Sequence, residues 1–185
     1  MSADVERVRR TVAARRPADD REAASQRRIL VELDRLARPF DRAAGLVHVT
    51  GSAVVAGARG TVLHRHKRLG RWMQPGGHLD PGETPDVAAC REAAEETGIE
   101  VSHVPGGPML VHVDVHDAAD DHVHLDLRYL LLGGDADPSP PPGESPEAAW
   151  FSWDAALERA DPSLGGALRS AMASHVVRRL TGASA

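Results

Sequence analysis

Aromatic side chains are scarce in this chain: its 185 residues include three Trp, two Phe and one Tyr. A core must therefore be filled by Val, Leu, Ile and Ala, and few rings are on hand to stack on a planar ligand. A single cysteine, Cys90, excludes an intramolecular disulfide and a cysteine-based zinc cluster. There is no surplus of positive charge either, since 22 Lys and Arg stand against 27 Asp and Glu for a formal charge of −5. General affinity for a nucleic-acid backbone needs such a surplus, so nucleic acid is not an expected partner. Any phosphate bound here must be met by a metal or a local basic patch. Long hydrophobic runs are missing too, with no window near the roughly 18 apolar residues of a membrane span. The N-terminus mixes Arg7, Arg9, Arg10, Arg15 and Arg16 with Asp4 and Glu6 and contains no signal-peptide core. The expectation is a soluble, unexported, cytoplasmic protein with no membrane partner.

What is present fits one compact domain with a short extension. Val5, Val8 and Val12 suggest a first helix, and Ile29, Leu33, Leu36 and Phe40 a second, amphipathic one over residues 20–40. Their apolar stripe must cover the main domain or a second subunit. From Leu46 the pattern becomes strand-like, as LVHVTGSAVVAG and then TVLHRHKR beyond a turn at 57–60. Runs over 109–116 and 122–132 flank the polar turn DAADD and read as an antiparallel hairpin. Residues 133–146, crowded with Gly, Pro, Asp and Ser, read as a loop. AAWFSW is a last short strand, Ser152 or Asp154 can cap a turn of helix, and 167–180 reads as one closing helix with Leu168, Met172 and Val176 aligned. The domain reading is a helical extension over 1–42 and the main domain over 43–185, an α/β (α+β) architecture.

The segment that carries chemistry is WMQPGGHLDPGETPDVAACREAAEETGIE, residues 72–100. Thr84 as N-cap, Pro85 at the first helical position and Gly98 at the C-terminal αL position delimit a helix over 85–97. On that helix Glu92, Glu95 and Glu96 fall within an arc of about 100°, while Val87, Cys90, Ala94 and Thr97 lie opposite. Three carboxylates that close repel one another unless a cation sits among them. Hard oxygen donors of this kind suit Mg2+, Mn2+ or Ca2+ better than zinc. Gly76 and Gly77 allow close backbone approach just before the helix, where a carbonyl ligand or a phosphate belongs. Glu83 can pair with Arg91 and lock that loop onto the helix.

Starting at Gly77 the chain reads Gly, five residues, Glu83, seven residues, then Arg91-Glu92-Ala93-Ala94-Glu95-Glu96-Thr97-Gly98-Ile99, and this resembles the Nudix box. Ala93 is the one departure, standing where a bulkier aliphatic is usual. The resemblance, which extends over 46–158, implies an α/β/α sandwich around a mixed sheet and a Nudix (MutT-like) hydrolase domain. It implies cleavage of a nucleoside diphosphate linked to another moiety, by water attack on phosphorus with Mg2+ or Mn2+ bound. Carried over, Glu92, Glu95, Glu96 and the Gly77 carbonyl are metal ligands, and Glu92 is the first choice for orienting or deprotonating the water, with Glu95 also in the catalytic set. Glu83, Arg91, Gly77 and Gly98 are structural in the motif. Homodimers are common in the family.

The hairpin offers a second constellation. Alternation puts His112, Asp114 and His116 on one face of its first strand and His122, His124, Asp126 and Arg128 on one face of the second, with Val111, Val113, Val115, Val123, Leu125 and Leu127 opposite. If that polar face lines the cleft, Arg128 or His124 can hold a phosphate and Asp126 a metal. The alternative is a half-exposed sheet with solvated polar residues, and a soft-metal site from these histidines is a further option. His64, His66, Lys67 and Arg68 lie near the same place and each can equally belong to a solvated loop. Candidate stacking partners for a base are Trp72, Tyr129, Trp150, Phe151 and Trp153. Two rival functions remain open: an isoprenyl diphosphate isomerase, which needs a catalytic cysteine on a strand, and an inactive nucleotide-sensing regulator that binds DNA through the Arg-rich N-terminal helices.

Overall fold

In the computed structural model, which describes residues 2–182, the first two helices form where their caps dictate. Ser2 caps α1 (Ala3–Ala14) by accepting from the Val5 N–H at 3.3 Å, and Asp19 caps α2 (Asp20–Arg35) by accepting from the Glu22 N–H at 2.8 Å. The sequence pattern carries α2 on to Phe40, yet it stops at Arg35 with Leu36 extended. Pro39 is the physical reason, because in a continued helix its ring would clash with the Arg35 carbonyl four residues back and it has no N–H to donate there.

Eight strands follow in one mixed sheet: β1 (Val47–Gly57), β2 (Gly60–Arg65), β3 (Trp72–Met73), β4 (Gly76–His78), β5 (Val101–His103), β6 (Met109–Asp117), β7 (Val123–Gly133) and β8 (Ala148–Phe151). The long β1 and β7 run parallel at its centre, and the other pairings are antiparallel. Because β1 pairs with β2 at one end and with β4 at the other, the segment entering the next helix, α3 (Pro85–Thr97), is fixed to the middle of the sheet.

Helices cover both faces, which makes an α/β/α sandwich. One core joins α1, α2 and α3 to the sheet through Val8, Ile29, Leu33, Ala89, Ala93, Val55 and Leu127. The other packs α4 (Trp153–Arg159), α5 (Pro162–Met172) and α6 (His175–Thr181) on Val54, Ala56, Leu63 and Leu130. Both cores are aliphatic, as the scarcity of rings requires. The approach of α3 is close at Gly51, where a Cβ would run into the Pro85 carbonyl oxygen and stand 3.1 Å from the Ala89 nitrogen.

Three expectations do not hold in the folded chain. The closing helix is two helices, α5 and α6, broken at Ala173, because Ser174 caps the second by accepting from the Val177 N–H at 3.2 Å. The first begins at Pro162, with Asp161 as its cap. Strand β2 ends at Arg65, short of Arg68. In the hairpin a bulge between Leu110 and His112 breaks the alternation, so Val111 joins the core under α5 while Val113 joins the core under α3.

The outer edge of β6 is closed by side chains of α2 rather than by another strand. Val113 donates its N–H to Glu22 Oε1 at 3.2 Å, and Val115 donates to Ser25 Oγ at 3.1 Å. Glu22 is fully buried and also takes Arg15 Nε at 2.6 Å and the Ala18 N–H at 2.6 Å. Glu22→Ala strands three donors, one of them charged, and is expected to cost about 3 kcal/mol. A lower urea midpoint at unchanged slope checks it; a shift within error would mean that α2 contributes little to holding this edge.

Candidate active site

The N-terminus of α3 has Thr84 in extended geometry and Pro85 in the first turn, and its C-terminus closes on Gly98 at φ 67°, which donates to the Ala94 carbonyl at 2.8 Å. A side chain at Gly98 would also collide with the Ser139 backbone, so this glycine lets the 133–146 loop lie on the helix end. The buried face of α3 is Ala88, Ala89, Ala93 and Thr97. This corrects the apolar side read from the sequence: Val87 is 49% exposed and Ala94 faces solvent. Small residues lie against the sheet because the backbone comes so near at Gly51, and Ala93 belongs to that set.

Arg91 is the hub of the turn. Its guanidinium donates to both oxygens of Glu83 at 2.9 Å, to the His78 carbonyl at 2.8 Å, to Glu92 Oε1 at 3.0 Å and to Glu95 Oε2 at 2.9 Å. The two ends of the loop, β4 and α3, are thereby tied together. Hydrogen bonds from Arg91 hold the Glu83 carboxyl below the usual carboxylate range. Glu95 is exposed and turned to Arg91, whereas Glu92 and Glu96 are half-buried and line the cleft. Glu96 Oε2 accepts the Gly76 N–H at 2.9 Å and lies 3.5 Å from His64 Nε2.

Burial raises both inner glutamates. Glu96 is pushed up to about 8, with Glu92 and Glu144 adding repulsion, and Glu92 is raised against the pull of Arg91. His64 is buried on β2, and this same desolvation lowers it to about 4. The solvated-loop reading thus fails for His64, whereas Lys67 and Arg68 are exposed, with Arg68 at the rim of the cleft. Glu144, on the 133–146 loop, was not singled out by the sequence; nothing about a Glu in a Gly/Pro-rich stretch announces that the stretch folds back over α3.

On the polar face of the hairpin His112, Asp114, Asp126 and Arg128 are buried, against the half-exposed alternative, while His116, His122 and His124 are half-buried. Arg128 is 3% exposed and spends its nitrogens on Asp126 Oδ2 at 2.7 Å, the Ser163 carbonyl at 3.0 Å and Asp114 at 3.6 Å. Asp126 further accepts Thr50 Oγ1 at 3.0 Å and Ser52 Oγ at 2.7 Å. Burial opposes ionisation of Asp126 and Asp114, but Arg128 outweighs it at the first, and His116 with Arg128 and Arg21 outweighs it at the second, so both are held below the usual range. His124 stands on the same wall. Of the five candidate rings Trp72 alone lines this cleft, whose volume is about 1590 Å³, while Tyr129 and Trp153 are core. Arg42, Arg68 and Arg71 rim it.

A glutamate-bearing helix tied by one arginine to a Gly-Gly strand, set on a mixed sheet, is the arrangement the box spacing implied. The NUDIX domain model matches residues 39–170. The chain belongs to the NUDIX family. It is similar to a NUDIX-family hydrolase of Clostridium perfringens, with a TM-score of 0.57 and 27% identity over 67% of this chain and 95% of that one. It is 30% identical over 152 residues to the isopentenyl-diphosphate Delta-isomerase of Streptomyces coelicolor, covering 76% of this chain and 77% of that protein. It is 58% identical over 33 residues to the RNA pyrophosphohydrolase of Erythrobacter litoralis, where the match spans only 18% of this chain and 20% of that protein. Among the described residues no helix is long and apolar enough to cross a membrane.

Nudix hydrolases generally use divalent metal ions, and the residues here fit one. Two half-buried carboxylates, raised by burial and by repulsion from neighbouring carboxylates, lie against the Gly76-Gly77 backbone. The Glu92 carboxylate fills the space a Cβ at Gly77 would take, with Cδ at 2.6 Å from that position. Gly77→Ala is therefore expected to displace Glu92 and weaken activating-metal affinity about tenfold or more, with the thermal midpoint of the metal-free protein little changed. Titration calorimetry with Mn2+ measures it, and an unaltered affinity would detach Gly77 and Glu92 from the ion.

Proposed function

We propose that this Nudix protein is a hydrolase that cleaves the phosphoanhydride bond of a nucleoside diphosphate linked to another moiety, with Mg2+ or Mn2+ held by Glu92, Glu95, Glu96 and the Gly77 carbonyl, acting in the cytoplasm. The observation that carries the reading is the pair Glu92 and Glu96, both raised by burial above the ordinary carboxylate value, on the wall of a cleft large enough for a nucleotide. When bound, the ion supplies charge neutralisation for the diphosphate and for the departing oxygen.

The remaining work falls to side chains. Glu92 orients the attacking water and takes its proton as the new oxygen–phosphorus bond forms and the anhydride oxygen leaves with the bonding pair. Arg91 holds Glu92 in place through the 3.0 Å contact and ties Glu95 at the outer side of the set. Arg68, on the rim and exposed, offers charge to a phosphate, and Trp72 offers a face to the base. Arg128 and Asp126, each satisfied by the other, form the polar floor beneath the phosphates, with His124 beside them.

The likeness to an isopentenyl-diphosphate isomerase motivates a second reading. It is disfavoured because the one cysteine, Cys90, lies on α3 with its Sγ 3.4 Å from His103 Nε2 and is not part of the cleft wall. A DNA-binding regulator is disfavoured because four of the five N-terminal arginines face carboxylates: Arg7 to Asp86, Arg9 to Asp34, Arg10 to Glu6 and Arg15 to Glu22.

A panel of nucleoside triphosphates, dinucleotides and nucleotide sugars, each with Mg2+, Mn2+ or EDTA, tests the proposal by release of phosphate, diphosphate or nucleoside monophosphate. Metal-dependent release from at least one compound is expected. Silence across the panel with tight binding of one nucleotide would support a sensor instead.

A further inference from the structure

Three histidines outside the glutamate set cluster at one wall of the cleft, His78 and His124 lining it and His48 buried behind them. His48 and His124 are directly paired across the parallel β1/β7 ladder, and His78 follows Gly77 on β4, the strand bonded to the other side of β1. Neighbouring strands of one sheet thus present three imidazoles on one face. A ring nitrogen from each lies within 4.8 Å of those of the other two, and the ring centroids stand 5.0 to 5.1 Å apart.

His48 is the decisive member. It is 1% exposed, its Nδ1 lies 3.4 Å from the Gly45 carbonyl, and its Nε2 is buried with no hydrogen-bond partner. A proton on Nδ1, donated to Gly45, leaves the Nε2 lone pair inside the protein with nothing to accept. That is the pattern of a ligating histidine oriented by a backbone carbonyl, and it costs free energy if the lone pair serves no purpose.

We propose that His48, His78 and His124 form a second metal site, for a transition ion of the zinc class, separate from the carboxylate set. Imidazole nitrogens suit Zn2+, Co2+ and Ni2+, whereas Mg2+ prefers oxygen. Around such an ion three nitrogens stand roughly 3.3 Å apart, so small rotations of the rings close the triad on loading. Three protein ligands leave one coordination position, and His78 and His124 line the cleft, so that position opens toward the cleft. Arg42 is the competitor: its Nη1 lies 3.4 Å from His78 Nδ1 and brings positive charge to the same spot. The site does not depend on the hydrolase reading, because none of its ligands belongs to the glutamate set.

Equilibrium dialysis of EDTA-stripped protein against Zn2+ or Co2+, with Mg2+ in large excess to fill the carboxylates, tests it. One ion per chain is expected, with the visible absorption of Co2+ in a nitrogen-rich site. His78→Asn and His124→Asn should each weaken uptake at least tenfold, and Glu96→Gln should leave it unchanged. Arg42→Ala replaces no ligand, removes the positive charge beside His78 and should tighten binding severalfold, which keeps the test sharp should a histidine variant fail to fold. No uptake by wild type, uptake indifferent to both histidine variants, loss on Glu96→Gln, or no tightening in Arg42→Ala would each overturn the proposal.

Discussion

Glu96→Gln is expected to leave the fold intact and lower turnover by about 10²-fold or more. The amide keeps the shape and can still accept the Gly76 N–H that Glu96 Oε2 takes at 2.9 Å. The fold loses little because burial already makes the neutral form of this carboxyl the favoured one near neutrality, its pKa standing at about 8. Activity loses much because a neutral amide is a poor ligand for a hard divalent ion. The thermal midpoint in EDTA should match wild type, and the stabilisation that Mn2+ confers on wild type should shrink. A variant that turns over at the wild-type rate would remove Glu96 from the site.

Activating-metal binding is expected to be proton-linked and to fall steeply on acidification. With Glu96 at about 8 in the metal-free protein, binding at pH 7 must displace a proton, so affinity drops about tenfold per unit as pH is lowered below that value. Raised Glu92 adds to this in the same direction. The sign for stability is opposite in the two states. Without metal, the folded chain holds a proton at Glu96 that an unfolded chain, with the ordinary value of 4.5, has released, so this group lowers stability as pH rises from 4.5 towards 8. With metal bound the ionised form is the one retained, and stabilisation by the ion grows over that window. Calorimetry at pH 6 and pH 8, in buffers of different ionisation enthalpy, should find about one proton released per ion at neutral pH. Affinity independent of pH would mean that the inner carboxylates are already ionised.

The glutamate helix was legible because its marks are local: Pro85 and Gly98 set its ends, and the spacing from Gly77 to Glu96 sets the turn that Arg91 ties. The two long strands of the hairpin were legible from period-two alternation. What escaped depends on contacts distant in sequence. The bulge at Leu110/His112 leaves no composition signal, yet it sends Val111 and Val113 to different cores. β5 is short, only Val101–His103, and is a strand because β7 pairs with it. The buried side of α3 is decided by how closely Gly51 lets the sheet approach, not by the apolar residues of the helix itself. The histidine triad comes from three strands, and only the register of β1 against β4 and β7 brings it together.

Hydrolysis in oxygen-18 water is the most direct measurement of the central claim that the α3 carboxylates direct water at phosphorus. Wild type with Mg2+ or Mn2+ and its best nucleotide substrate should place one label on a phosphoryl product, and Glu96→Gln should place almost none in the same time. Absence of cleavage and of label across all substrates, with isopentenyl diphosphate rearranged instead, would contradict it and turn the same site to isomerase chemistry.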